Sequence, residues 1–340
     1  MNKKSIEGVI ALVPMVFDEQ GNLDLEGYKE NIRYLESVGV HGIVAMSSVG
    51  EFYALDDDEF KKVASVAREA CNKMVCIINC AYQNAREAVA RVKYAEDIGA
   101  DGAMFYTYHY FQLPLPDPQK LYYGHIQLIH EATREIQLVI YNNQRESKGF
   151  DVSLGLYAKL AEDFDRVTAC AEDITSVAEP AMAGASEKIW RLSENFNVLS
   201  LDEAGLFPMM YYGGKGCLAT YGIAMPELLV KLYNACKEKD YETALKLHQT
   251  LTRYPCSSGE LGMNIQGRPS SLFPGTVTTS IGNTHSILGE KVGNIFPGTV
   301  TTCKAMAEAA GRKAGSPRLP YLPPSERMRK FARDWLADIG

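Results

Sequence analysis

The 340-residue sequence predicts an α/β protein, a (β/α)8 TIM barrel followed by a C-terminal helical extension. Three observations predict it. Short apolar runs begin near Val9, Gly42, Met74, Gly102, Ile136, Val167, Phe196 and Gly216, mostly about 30 residues apart, the length of one strand–helix unit. The runs are continuous rather than alternating, as suits parallel strands covered on both faces. An internal echo also marks the repeat: Val38-Gly-Val-His-Gly42 and Ile98-Gly-Ala-Asp-Gly102 each turn a helix end into a strand. Strands and helices alternating in this number favour a closed barrel over an open doubly wound sheet.

The intervening helices have readable starts and stops. Asp24 caps a helix whose apolar face is Tyr28, Ile32, Leu35 and Val38, and Gly39 stops it. Asp56 and Glu59 make a capping box ahead of Phe60, Val63, Ala64 and Ala67. Similar patterns occupy about 85–98, 117–132, 152–163, 174–184, 203–212 and 226–237. The barrel is therefore expected over 1–238 and the extension over 239–340. The extension opens with a helix at about 240–254 and closes with helices at about 303–311 and 324–338, joined by a Pro-rich link from Pro317 to Pro324. Between them, at about 255–302, lies an insertion rich in Gly, Ser, Thr and Pro. In it Phe273-Pro-Gly-Thr-Val-Thr-Thr279 returns as Phe296-Pro-Gly-Thr-Val-Thr-Thr302. The expectation is a duplicated loop built of two similar turns or edge strands, with a lid or oligomer contact as the alternative.

Composition narrows the function. A net charge of −7 without a basic cluster argues against a nucleic-acid partner. The N-terminus has no signal-peptide apolar run, and no stretch reaches the roughly 20 apolar residues of a membrane span. Cys76, Cys80 and Cys170 lie inside apolar runs and read as reduced core thiols. A cytoplasmic protein is expected. The histidines, at 41, 109, 125, 130, 248 and 285, have no His-x-His or His-x-x-x-His spacing, so metal catalysis is not expected.

In such a barrel, chemistry sits at the C-terminal strand ends. That rule selects Ser47-Ser48-Val49-Gly50-Glu51 after the second strand and Tyr106 to Phe111 after the fourth. It selects Tyr141 and Asn142 at the fifth, and Ala171, Glu172 and Asp173 at the sixth. At the eighth it selects Thr220 and Tyr221, after Gly213-Gly-Lys-Gly216. Ser47, Ser48 and nearby backbone N–H groups suit a carboxylate. Tyr141 suits proton transfer. Glu51, on a loop leading to a helix, suits a structural hydrogen-bonding role.

These stretches resemble the dihydrodipicolinate synthase and N-acetylneuraminate lyase group of class I aldolases over about residues 7–254, and the Pro-rich C-terminal helices also fit. Four motifs carry the resemblance. Ser47-Ser48-Val49-Gly50-Glu51 is similar to the group's Gly-x-x-Gly-Glu carboxylate motif, and Tyr141-Asn142 to its strand-five pair. His109-Tyr-Phe-Gln-Leu-Pro114 stands for Pro-Tyr-Tyr-x-x-Pro, and Gly213-Gly-Lys-Gly-Cys-Leu-Ala219 for Gly-x-x-Gly-x-Ile-Ser. The resemblance implies a strand-six lysine that forms a Schiff base with pyruvate or another 2-keto acid. A C–C bond to an aldehyde is then made or broken, with Tyr141 relaying protons. It implies Ser47, Ser48, Val49, Tyr110, Phe111, Asn142, Arg145 and Ala219 as the substrate-binding set, and a homotetramer without cofactor.

The departures are as informative as the matches. The group reads Gly-Ile-Lys-Asp/Glu at strand six, where this chain reads Ala169-Cys170-Ala171-Glu172. Alanine cannot form an imine. One change inside an otherwise intact pattern fits an introduced Lys→Ala substitution. The alternatives are a native keto-acid-binding pseudoenzyme, or non-covalent chemistry by Tyr141 with Glu172 or Asp173. Lys148 and Lys215 read as solvated loop lysines. Val49 replaces a threonine and Phe111 a relay tyrosine, and Asn143-Gln-Arg-Glu-Ser147 displaces the arginine of the synthases, leaving Arg145 one position away. These changes argue against dihydrodipicolinate synthase itself and toward another aldolase, lyase or hydratase with a less polar aldehyde. The aromatics Tyr106, Tyr108, Tyr110 and Phe111 would line its pocket.

Overall fold

Each of the expected apolar runs becomes a strand of one parallel barrel in the computed structural model. The structure describes residues 4–82, 84–106, 117–143, 147, 150–173, 179–252 and 299–340, with backbone alone at 179–185 and 299. The strands are β1 Gly8–Leu12, β2 Gly42–Ala45, β3 Val75–Asn79, β4 Gly102–Tyr106, β5 Gln137–Asn142, β6 Val167–Glu172, β7 Asn197–Ser200 and β8 Gly216–Ala219. Each pairs with its sequence neighbour, and β8 closes onto β1. The closing seam pairs Gly8 with Gly216, both in positive-φ backbone. A Cβ on Gly216 would overlap the Gly8 carbonyl, so glycine permits the strands to meet there.

The barrel helices are α1 Leu25–Val38, α2 Asp57–Ala70, α3 Ala85–Asp97, α4 Pro118–Ala132, α5 Leu154–Asp163, α6 Glu179–Leu192, α7 Leu206–Tyr211 and α8 Pro226–Lys237. Asp24 caps α1 by accepting from the Gly27 N–H, and Gly39 ends it in left-handed backbone. The Asp56–Glu59 capping box of α2 is complete. Such caps contribute about 1 kcal/mol each. The α1 stripe Tyr28, Ile32 and Leu35 is buried. His125 of α4 is buried edge-on against Phe105, whereas His130 turns to Asp165. The cysteines among the described residues are buried and free. No described helix is long and apolar enough to cross a membrane.

Three expected boundaries change. The sixth helix, expected at 174–184, runs Glu179–Leu192, and 174–178 lie outside the described residues. The seventh splits into a 3-10 turn, Glu203–Gly205, and α7, because Asp202 holds the Gly205 N–H and tightens the start. The third is in the extension, which comprises α9 Tyr241–Leu251, α10 Thr299–Ala309 and α11 Glu326–Ile339. Helix α10 starts four residues before the expected 303, so the second heptapeptide copy enters a helix rather than a turn or edge strand. Burial explains this: Val300, Thr301, Thr302 and Cys303 are all covered, Thr301 Oγ1 donates to the Leu322 carbonyl, and Cys303 Sγ to the Thr220 carbonyl at 3.2 Å. The first copy lies outside the described residues.

The extension is tied to the barrel by buried polar contacts and by Trp335, which packs edge-on against Tyr221 with ring centroids 5.7 Å apart. Arg318 grips Glu59 with both guanidinium arms at 2.6 and 2.7 Å.

Candidate active site

Side chains of a strand alternate between the barrel lumen and the helices, and residues paired in parallel register share a face. Phe105 meets His125 of α4, so its register partners face the helices. The other set faces the lumen: Met104, Tyr106, Val139, Tyr141, Ala169, Ala171 and Leu199 on consecutive strands. None of the lumen-facing strand positions among the described residues is a lysine.

At the C-terminal end of this lumen, Tyr141 is paired with Tyr106 on one side and with fully buried Ala171 on the other. The tyrosine rings meet edge to face, with centroids 4.5 Å apart. Tyr141 Oη accepts from Asn143 Nδ2 at 3.3 Å. Tyr106 Oη accepts from the Ser48 N–H at 3.0 Å, which joins the loop after β2 to the tyrosine pair. In that loop Ser47 Oγ accepts from the Gly50 N–H, and Val49 is buried. Thus Ser47, Ser48, Val49, Tyr141 and Ala171 are brought together. Tyr110, Phe111 and Arg145 lie outside the described residues.

Two expected site residues face the other way. Asn142 lies on the helix side, where its Nδ2 donates to Asp151 Oδ1 at 2.7 Å and to both Glu172 oxygens. The reason is the strand period of two: with Tyr141 in the lumen, Asn142 is outside it. Ala219 pairs with Ala11 on the helix side, and its neighbour Leu218 takes the lumen position. Glu172 shares the outer face, which excludes it as a lumen base. Burial pushes its carboxyl above the usual range, and Lys188 opposes that shift. Its oxygens accept from the Tyr157 hydroxyl and from Lys188 Nζ at 2.8 Å. Asp173 is buried beyond the strand end. Lys215 immediately precedes β8 and so stands at the opposite end of the barrel.

Glu203 was missed by sequence reasoning. It is buried after β7, and its oxygens accept the Thr220 and Tyr221 N–H groups at 2.7 and 3.3 Å. Burial, and then the neighbouring Asp202, push its carboxyl up to about 8. The signal was present as Asp202-Glu203 directly after an apolar run, at a strand end that the barrel rule selects.

The sequence pattern of the dihydrodipicolinate synthetase family matches residues 5–256. A 4-hydroxy-tetrahydrodipicolinate synthase of Methanopyrus kandleri is 33% identical over 249 residues, 72% of this chain and 79% of its own length. One from Methanosarcina barkeri is 28% identical and covers 98% of both chains. Among solved structures, the dihydrodipicolinate synthase of Thermotoga maritima superimposes with a TM-score of 0.76 at 22% identity, covering 99% of each chain. YagE, an Escherichia coli prophage protein of the dihydrodipicolinic acid synthase family solved with pyruvate, has a TM-score of 0.77 at 20% identity, covering 98% of each. At these identities the two structures speak to the fold alone. The family pattern spans the whole barrel, and the chain belongs to the dihydrodipicolinate synthetase family.

Proposed function

We propose that this barrel is a Schiff-base aldolase or lyase scaffold for pyruvate or another 2-keto acid and an aldehyde, complete except for the amine at position 171. As it stands the chain binds the keto acid without forming an imine. The observation that carries this reading is the place of Ala171: buried on the lumen face, one strand from Tyr141, where a lysine side chain would point at a keto acid held by the Ser47–Ser48 loop.

With lysine there, the amine nitrogen attacks the C2 carbonyl and water leaves, giving an imine. Its protonated form withdraws electrons, so C3 loses a proton and the enamine carbon attacks the aldehyde. Tyr141 carries protons between these atoms. Ser47 and Ser48 hold the carboxylate, and the electron sink comes from substrate and lysine, so no metal or cofactor is required. Tyr110, Phe111 and Arg145 are assigned to substrate binding from the sequence alone, and the protein works as a cytoplasmic homotetramer.

The test uses the Ala171→Lys protein beside the parent. Each is incubated with pyruvate, reduced with borohydride and weighed intact. The expected result is a pyruvyl adduct on the Ala171→Lys protein alone. Absence of adduct from both would leave the lumen a binding site without imine chemistry, the pseudoenzyme reading.

A further inference from the structure

We propose that Lys304, from the C-terminal extension, is a positioning residue for the Ser47–Glu51 loop, so that the extension sets keto-acid affinity without touching the keto acid. The proposal rests on the reading that this loop receives the carboxylate.

Lys304 looks like an ordinary helix lysine in the sequence, yet it has no exposed surface. An ammonium is buried only where its charge and all its protons are matched. Lys304 Nζ lies 2.9 Å from Glu51 Oε1 and from the Met15 carbonyl, with the Ala314 and Ser316 carbonyls at 3.2 and 3.3 Å. The Phe17 ring covers it at 4.6 Å. Each of these four polar contacts is an acceptor, which fits a three-donor ammonium. Glu51 is equally buried, and its other oxygen accepts the Arg318 N–H at 2.8 Å. Both partners of Glu51 thus come from the extension.

Glu51 is the last residue of the candidate carboxylate loop, and that loop is held in disfavoured backbone at both ends. Met46 and Glu51 have φ of 57° and 53°, left-handed values that non-glycine residues adopt only when their surroundings enforce them. Met46 is fixed by Asn79 Nδ2, which donates to its carbonyl at 2.7 Å. Glu51 is fixed by Lys304 and Arg318. Between these two anchors lies Ser48, whose N–H meets Tyr106 at 3.0 Å, and Tyr106 packs on Tyr141. Position of the loop, and of the N–H groups it offers to a carboxylate, therefore depends on an ion from outside the barrel.

A buried pair that merely glues the extension down would give the same contacts, so the test separates stability from loop geometry. Lys304→Met orphans Glu51. The double variant Lys304→Met/Glu51→Gln removes both charges and keeps an acceptor for the Arg318 N–H, so its folding does not depend on an unpaired ion. Each is compared with the parent for thermal midpoint, amide exchange across residues 46–52 and calorimetric pyruvate affinity. The expected result is a double variant with its midpoint largely recovered, faster exchange at 46–52 and about tenfold weaker pyruvate binding. In the Ala171→Lys background the loss would fall on KM rather than kcat. A double variant with parental exchange and parental affinity would overturn the proposal. If the parent and the Ala171→Lys protein bind no pyruvate, the keto-acid reading falls, and amide exchange alone decides whether Lys304 positions the loop.

Discussion

The inner and outer faces of β5 and β6 make opposite use of adjacent residues. Tyr141 and Ala171 face the lumen, and their next neighbours Asn142 and Glu172 face the helices. The inner pair, a tyrosine and an alanine, offers no amine for imine chemistry. The outer pair keeps a full network: Glu172 is met by Asn142, Tyr157 and Lys188, and Lys188 also reaches Asp151 at 3.0 Å. Burial lowers the proton affinity of Lys188, but Glu172 and Asp151 more than offset it, so the ammonium stays charged and is no nucleophile. A lysine that reaches the outer face from α6 is scaffold rather than catalyst.

The largest expected effect is the one that puts an amine on the inner face. Ala171→Lys should take the borohydride-trapped pyruvyl adduct from none to nearly one per chain, read by intact mass, while leaving the outer network untouched. A Lys188→Met change should do the reverse. It leaves buried Glu172 without its cation, which costs about 3 kcal/mol of stability by urea denaturation. Added to the Ala171→Lys protein, it should leave adduct formation standing wherever the protein is folded. Loss of adduct without loss of fold would put Lys188 in the chemistry and undo the comparison.

The difference between the faces was not legible in the sequence, although most of the fold was. The strand starts fall within one residue of those expected, because apolar runs and glycine-marked turns report strand existence well. Facing is another matter. Strands covered on both sides are apolar throughout, so Gln137–Asn142 carries no alternation to say that Tyr141 points in and Asn142 out. Only the closed register settles it, which is why Asn142 and Ala219 were expected in the pocket and Leu218 was not. Buried ions are equally silent. Lys304 and Glu203 have the residue types of a helix surface, and their meaning comes from what the tertiary fold lays over them. The start of α10 followed the same rule, since Thr301 and Thr302 are poor helix formers that burial against the barrel recruits.

A pH experiment sharpens the comparison at β7 and β8. The Glu203 carboxyl titrates at about 8 in the folded chain, against 4.5 for an unburied glutamate. Between those values the folded state holds a proton that the unfolded state releases, so stability is full below the lower value and falls as pH rises toward the upper. The thermal midpoint of the parent should therefore decline from pH 6 to pH 8 more steeply than that of Glu203→Gln, which has no proton to lose. Equal slopes would mean that the Thr220 and Tyr221 N–H groups keep the carboxylate ionised despite its burial.

The smallest effect tests facing itself. Ala219→Ser places a hydroxyl at the end of β8. If Ala219 faced the keto acid, the new hydroxyl would add a donor to the site and tighten pyruvate binding. Register places its Cβ instead toward Ala11 and Gly222: a Cβ built on Gly222 would lie 2.9 Å from that of Ala219 and 3.1 Å from that of Ala11. A hydroxyl there is buried among apolar atoms and costs about 1 kcal/mol, visible as a lower urea midpoint. Pyruvate affinity should stay within about twofold of the parent, well under the tenfold that 1.4 kcal/mol would produce. Leu218→Ala, one residue away on the lumen side, should instead change both stability and affinity. A serine at 219 that left stability alone and tightened pyruvate would reverse the assignment of faces at β8.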